Sequence, residues 1–145
     1  MKIDRRSLQF AFSITIISLQ LVLMPGCDRV SRSAEQRDDL ARAFQQKESN
    51  VRVEGDGIVS RILSDDTSGI SHQRFIVRLA SGQTILIEHN TDVAGRIEDV
   101  KVGDTIRFLG EYVWNEQGGL VHWTHHDPSG IHRAGWIEHN GRTYQ

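Results

Sequence analysis

Alternation of apolar and polar residues in the middle of the chain predicts two strands joined by a tight turn. Phe75, Val77 and Leu79 fall on one face of the first run. A period of two is the pattern of a strand with one buried face. The dipeptide at 81–82, Ser-Gly, is typical of a tight turn, and it leads into a second apolar run at 84–89. We therefore expect an antiparallel hairpin at this point, which limits the fold to those built from hairpins.

Three further strands are expected around this hairpin. Residues 51–63 alternate in part and contain Gly55 and Gly57, which is typical of a bent or bulged strand. Residues 102–114 form a long strand that begins at a Gly-Asp turn. A glycine-containing turn then leads into a last strand at 120–124.

The order of these elements predicts an all-β fold, a small five-stranded OB-like Greek-key barrel. Residues 91–97 are long enough for one or two helical turns between the third and fourth strands. Three strands, a short helix and two strands are the order of an OB-fold. The first strand of an OB-fold curves sharply, which suits the two glycines of the first predicted strand. A generic open sheet or another small barrel is the alternative. We place this domain at 51–145.

The N-terminal residues 1–26 are expected to be a lipoprotein signal peptide. A basic head precedes a mostly apolar stretch at 8–24, which is the layout of a secretory signal. The stretch is shorter and more polar than the roughly 20 apolar residues of a membrane-spanning helix. Residues 23–27, LMPGC, resemble the lipobox of bacterial lipoproteins, in which the cysteine becomes acylated.

Cys27 is the only cysteine in the chain. It cannot form a disulfide within one molecule, and a lone thiol in an oxidising compartment is a liability unless it is consumed. Acylation would consume it, and two or more acyl chains give stable anchoring. An unmodified cysteine after an ordinary signal peptide is the alternative. We therefore expect a cell-envelope protein on the periplasmic side, with a membrane as partner through its lipid anchor.

A tether and short helix are expected at 27–50. Ser33 and Gln36 match a capping box, and Leu40 and Phe44 lie on a narrow apolar face of an otherwise charged helix. The simplest interpretation is a helix that lifts the domain off the membrane, with Phe44 docked to the domain. A partner-binding amphipathic helix is the alternative.

The segment VHWTHHDPSGIH, residues 121–132, holds four of the seven histidines of the chain. In a continuous strand His122 and His126 would lie about 13 Å apart, too far to share one metal ion. Residues 127–130, Asp-Pro-Ser-Gly, fit a type I turn, so a bend at His125 could still bring ligands together.

Three interpretations of this segment stay open. In the structural one, Asp127 caps its own turn, the histidines pack at the barrel mouth, and Trp123 or Trp136 fills the core. Acid–base catalysis without a metal is another. The third is a divalent metal site, with zinc as the example that imidazole and carboxylate ligands suit. Its candidate ligands are His122, His125, His126, Asp127 and His132, with His89 as a further candidate.

Several stretches resemble the bacterial domain-of-unknown-function family DUF3465. They are HQRF at 72–75, GQTILIEHN at 82–90, GEYVWN at 110–115, VHWTHHDP at 121–128, GWI at 135–137, and Tyr144. The resemblance covers 51–145. Independently of it, we expect the residues after the turn to form a closing strap, with Trp136, Ile137 and Tyr144 as anchors. The family carries no assigned activity, so the resemblance implies a domain and no catalytic role.

Two functions fit this sequence. The first is an OB-type binding module for an envelope ligand, a glycan, or a partner protein. The chain has 17 basic and 19 acidic residues without a basic cluster, which argues against nucleic acid as partner. The second is a metal-dependent hydrolase, a phosphoesterase or nuclease-like enzyme, that uses the His122–His132 cluster. OB-folds bind ligands on strands two and three and in two loops; the corresponding residues here are 64–71, Arg74, Arg78, Trp114 and 115–119.

Overall fold

The computed structural model describes residues 39–145. The predicted signal peptide at 1–26, Cys27 and the capping box at 33–36 lie outside this range and stay predictions. Within the described range, no helix has the length and apolar character needed to cross a membrane.

Seven strands and one short helix make up the described part of the chain. The helix covers residues 39–45. The strands are β1 (Val51–Ile62), β2 (His72–Leu79), β3 (Thr84–Asn90), β4 (Thr105–Val113), β5 (Leu120–His122), β6 (Trp136–His139) and β7 (Arg142–Tyr144).

Five of the strands close into a barrel. The hydrogen-bonded order is β1-β2-β3-β5-β4, and β1 pairs again with β4 to complete the circle. The β3–β5 pair is parallel, and the other pairs are antiparallel. The prediction of an all-β, five-stranded OB-like barrel is confirmed.

The first strand curves because it is bulged and contains glycines where neighbours approach closely. Its register with β2 shifts between Val59 and Arg61, which marks a bulge. A Cβ on Gly55 would lie 2.7 Å from Cζ of Phe108 and 2.9 Å from Cδ1 of Leu40. Only glycine leaves room for both side chains, so the predicted bent strand is confirmed.

The helix at 39–45 packs against the barrel core. Leu40 and Ala43 are buried in the same hydrophobic cluster as Phe108, whereas Phe44 is half-buried. The helix that we placed in a tether therefore contributes to the core, and Leu40 and Ala43 make the deeper contact than the expected anchor Phe44.

Residues 91–97 form a single turn and do not continue as a helix. The N–H of Ala94 donates to the carbonyl of Asn90, which closes one helical turn. The next turn cannot form because the side-chain amide of Gln73 binds both backbone groups of Ile97, at 2.9 and 3.1 Å. Gln73 is fully buried, so this fixed loop satisfies a polar side chain inside the barrel.

The end of the barrel differs from the sequence prediction in two ways. β5 ends at His122, two residues early, because Trp123 has a left-handed backbone with φ of 51°. Trp123 and Trp136 are only half-buried, so the prediction that one of them fills the core is wrong. The aromatic core consists of Phe75, Phe108 and Tyr112.

The predicted closing strap is a hairpin, β6–β7, that extends the sheet. β6 pairs with residues 106–109 of β4, directly before the residues that pair with β5. Ile137 and Tyr144 are buried, and Asn140-Gly141, both with positive φ, make the two-residue turn. Two of the three expected anchors therefore enter the core.

The close approach of β5 to β4 at Gly110 can be tested by adding one methyl group. A Cβ at Gly110 would lie against the backbone carbonyl of His122 and 2.7 Å from Cγ1 of Val121. We expect Gly110→Ala to lower the free energy of unfolding by about 1–3 kcal/mol, since the backbone must shift. Urea denaturation measures this. Gly95→Ala, where nothing lies within 4 Å of the added methyl, is the control; equal loss in both variants would contradict the packing argument.

Candidate ligand-binding sites on the barrel surface

The histidine-rich segment forms a loop, residues 123–135, between β5 and β6; we call it the histidine loop. Its neck is closed by a hydrogen bond from the N–H of Gly135 to the carbonyl of His125, at 2.8 Å. A Cβ on Gly135 would collide with the carbonyls of Trp123 and Leu109. Glycine is therefore needed where the chain returns to the sheet.

Asp127 organises the tip of the histidine loop. Its carboxylate accepts hydrogen bonds from the N–H and hydroxyl of Ser129, at 2.9 and 2.7 Å, and from the N–H groups of Ile131 and His132, both at 2.8 Å. These donors, with the N–H of His132 first, hold the pKa of Asp127 far below its usual range. The predicted cap on its own turn is therefore present.

The structure does not bring the five predicted metal ligands together. His122 lies on the outer face of the sheet, with Nε2 3.7 Å from Oε1 of Glu111. His125 is buried and its Nδ1 bonds to the carbonyl of His126, whereas His126 and His132 are exposed. Among residues 39–145, no three His, Cys, Asp or Glu side chains are grouped so that they could hold a metal ion. Metal binding by this segment stays a prediction that this geometry does not support.

Trp123 instead forms the wall of a surface cavity of about 390 Å³, which we call the Trp123 cavity. Its indole ring stacks on the imidazole of His132, with centroids 3.7 Å apart and planes 14° apart. Arg52, Glu111 and Arg133 line the same cavity. The arrangement combines an aromatic surface with charged groups of both signs.

A second cavity of about 480 Å³ lies on the outer face of β2 and β3; we call it the β2–β3 cavity. Ile76 and Leu86, which are paired across the two strands, form part of its lining, together with Arg61 from the bulged end of β1. The loop between β4 and β5 provides polar groups, including Asn115 and Gln117. This is the surface that OB-folds use for ligands.

The polar loop at 115–119 is held rigidly. The side-chain carbonyl of Asn115 accepts from the N–H groups of Gln117 and Gly119, at 2.9 and 3.0 Å. The hydroxyl of the buried Tyr112 donates to the carbonyl of Gly118, at 3.0 Å. This edge of the β2–β3 cavity is therefore preformed, as most small ligand sites are.

Arg74, Arg78 and Trp114, which we placed on the binding face from the sequence, do not line the β2–β3 cavity. Arg74 donates from Nε to the carbonyl of Ser64, at 3.1 Å, and Arg78 is exposed on the same strand. Trp114 packs against the core, with Nζ of Lys47 4.9 Å from its ring. Of the two loops expected from the sequence, 115–119 lines the cavity and 64–71 does not, whereas Arg61, at the register shift of β1, was not expected there.

Residues 22–145 match the family model of a protein of unknown function (DUF3465). The chain belongs to the DUF3465 family. The match begins upstream of residue 51, where the resemblance seen in the sequence starts, and it includes both cavities and the histidine loop. A search of curated proteins found no match.

Buried histidines in this DUF3465 chain join its loops to the barrel. His89 is fully buried, and its ring nitrogens lie 2.8 Å from Oγ1 of Thr124 and 3.3 Å from the carbonyl of Gly95. His139 bonds to the carboxylate of Asp104 at 2.8 Å. His89 thus connects the end of β3 to the start of the histidine loop, a structural role that the sequence pattern did not reveal.

Burial, with smaller effects of nearby His125 and His72, lowers the pKa of His89 from 6.5 to about 4, against the opposing effect of the hydrogen bond to the carbonyl of Gly95. Between these two values the unfolded chain binds more protons at this residue than the folded chain does. The contribution of the neutral His89 to the free energy of unfolding is therefore fully present above pH 6.5 and is lost as the pH falls toward 4.

We expect the free energy of unfolding of the DUF3465 domain to fall by up to about 3 kcal/mol over this interval because of His89. The measurement is urea denaturation between pH 7 and pH 4, comparing wild type with His89→Gln. The variant should show a shallower pH dependence, whatever its stability at neutral pH. The exposed His126→Gln is the control, and an unchanged slope in His89→Gln would contradict the assignment.

Proposed function

We propose that this chain is a lipid-anchored protein of the cell envelope whose barrel is an OB-type binding module, with the β2–β3 cavity as its ligand site. One observation carries the proposal: the cavity lies where strands two and three meet the loop between strands four and five, the surface that other OB-folds use for recognition. The envelope location is supported by the signal-like residues 1–26 and by Cys27.

The lining favours a peptide segment of a partner protein as ligand. Ile76 and Leu86 supply an apolar surface for one buried side chain, and Asn115 and Gln117 supply amides that hydrogen-bond to a backbone. β2 is paired on both sides, with β1 and β3, so a peptide cannot join the sheet there as an added strand. Recognition would therefore depend on side chains.

The metal-dependent hydrolase gains no comparable support. It needs several ligands that converge on one ion, whereas no three His, Cys, Asp or Glu side chains among residues 39–145 are grouped in that way. We therefore propose the binding module alone.

The ligand site is tested by selecting peptides from a displayed library against the purified full mature chain in detergent. We expect enriched peptides to share an apolar residue, and Leu86→Glu to weaken their binding at least about tenfold, because a carboxylate would replace the apolar surface. Val102→Glu, at a position that is 63% exposed and outside the cavity, is the matched control.

Melting curves of both variants check that the barrel is intact. The proposal fails if no peptide is enriched, or if the enriched peptides bind Leu86→Glu and wild type equally well.

The lipid anchor is tested at Cys27. We expect the wild-type chain to incorporate labelled palmitate and to sediment with membranes. Cys27→Ser should lose the label and move to the soluble periplasmic fraction, because the thiol is the acylated group. Membrane sedimentation of an unlabelled Cys27→Ser chain would contradict the anchor.

A further inference from the structure

The Trp123 cavity is a separate site from the β2–β3 cavity, with which it shares no lining residue. It lies between the start of β1, the Glu111 region of β4 and the histidine loop. An inference drawn from it does not rest on the proposed peptide site.

The backbone at Trp123 is what brings an aromatic ring to this surface. Side chains alternate along a strand, so a continued β5 would direct Trp123 inward like the buried Val121. The left-handed φ of 51° at Trp123 breaks the alternation, and such a conformation is unusual for a bulky residue. Strained positions of this kind persist where the surrounding structure enforces them, and they cluster at ligand sites.

Two guanidinium groups, those of Arg52 and Arg133, line this cavity together with one carboxylate, that of Glu111, which leaves an excess of positive charge. Arg52 donates from Nη1 to the carbonyl of Arg133, at 3.0 Å, and from Nη2 to the carbonyl of Ala134, and both acceptors are uncharged. Within residues 39–145, neither Arg52 nor Arg133 has an acidic side chain within 4 Å. Glu111 is the cross-strand neighbour of Arg52, and its carboxylate lies 3.7 Å from Nε2 of His122.

The pKa of Arg52 is lowered, as expected beside an excess of positive charge. Burial lowers its pKa first, and the charge of Arg133 lowers it further, against an opposing effect of Glu111 and Glu54. An anion between the two guanidinium groups would offset both the burial of the Arg52 charge and its repulsion by Arg133, because a paired charge is less costly to bury than an isolated one.

We propose that the Trp123 cavity binds an anionic sugar, a pyranose that carries a carboxylate or a phosphate. The apolar face of the sugar ring packs on an outer face of the Trp123–His132 stack, because the inner faces of the two rings cover each other. The anionic group bonds to Arg52 and Arg133. The carboxylate of Glu111 accepts hydrogen bonds from the hydroxyls of the sugar. The side-chain amide of Asn50, which also lines the cavity, donates to them.

The test is calorimetric titration of the full mature chain in detergent with glucuronate and glucose 6-phosphate. Neutral glucose and inorganic phosphate are the comparators. We expect both anionic sugars to bind, and each comparator to bind at least about tenfold more weakly, since it lacks either the charge or the ring.

Three variants locate the site. Arg133→Gln should weaken binding of the anionic sugars about tenfold or more, because it removes one charge-assisted contact from an exposed side chain. Trp123→Asn should abolish binding, and a melting curve checks that the variant is folded; Asn keeps the left-handed backbone, although the contacts of the indole ring with the neighbouring imidazoles are lost. Arg61→Gln, which lines the β2–β3 cavity, should bind as wild type does.

The proposal is overturned if neither anionic sugar binds, if inorganic phosphate binds as tightly as glucose 6-phosphate, or if Arg133→Gln binds as wild type does. These results leave the peptide site unaffected. Conversely, if no peptide is enriched but the anionic sugars bind and Arg133→Gln weakens that binding, only the peptide site is rejected.

Discussion

The backbone ladder of β4 is the constraint on which the rest of this structure depends. One edge of β4 pairs with β1 over eight residue pairs, from Val51↔Tyr112 to Ile58↔Thr105, and this pairing closes the barrel. The other edge is divided between β6 and β5, which lie end to end along it. Gly110 sits at the junction between them, where no side chain fits. Because β5 leaves the ladder and β6 joins it at this point, residues 123–135 lie outside the sheet, and three of them, Trp123, His132 and Arg133, line the Trp123 cavity.

The interior combines a conventional apolar core with a few fully satisfied polar groups. Phe75, Phe108 and Tyr112 occupy the centre, and Leu40 from the helix closes part of the space beside Gly55. Gln73 and His89 are buried, and each bonds to the loop that follows β3. Buried polar groups that are hydrogen-bonded favour one arrangement of the surrounding loops over others. Gln73 and His89 thereby hold the loop that follows β3, which has no regular structure, against the barrel.

The sequence predicted the barrel because periodicity and turn residues are local signals. The β2–β3 hairpin follows from the alternation that begins at Phe75, and the curvature of β1 follows from Gly55. What the sequence could not predict depends on pairing between distant residues. The helical turns expected at 91–97 are cut short by Gln73, which lies 24 positions upstream of Ile97. In the candidate site, the capping role of Asp127 was predicted from turn chemistry, whereas the outward position of Trp123 depends on a single dihedral angle that breaks the strand period.

The end-to-end placement of β5 and β6 also affects how the chain can fold. β1 is the first strand made, but its partner β4 comes about 50 residues later, and the second edge of β4 is complete only when β6 arrives. Until then the 106–109 half of β4, which carries Ile106 and Phe108, has unpaired backbone groups on one side. An open strand edge of this kind readily pairs with other chains. The late hairpin therefore protects an edge that would otherwise lead to aggregation while the chain is still being assembled.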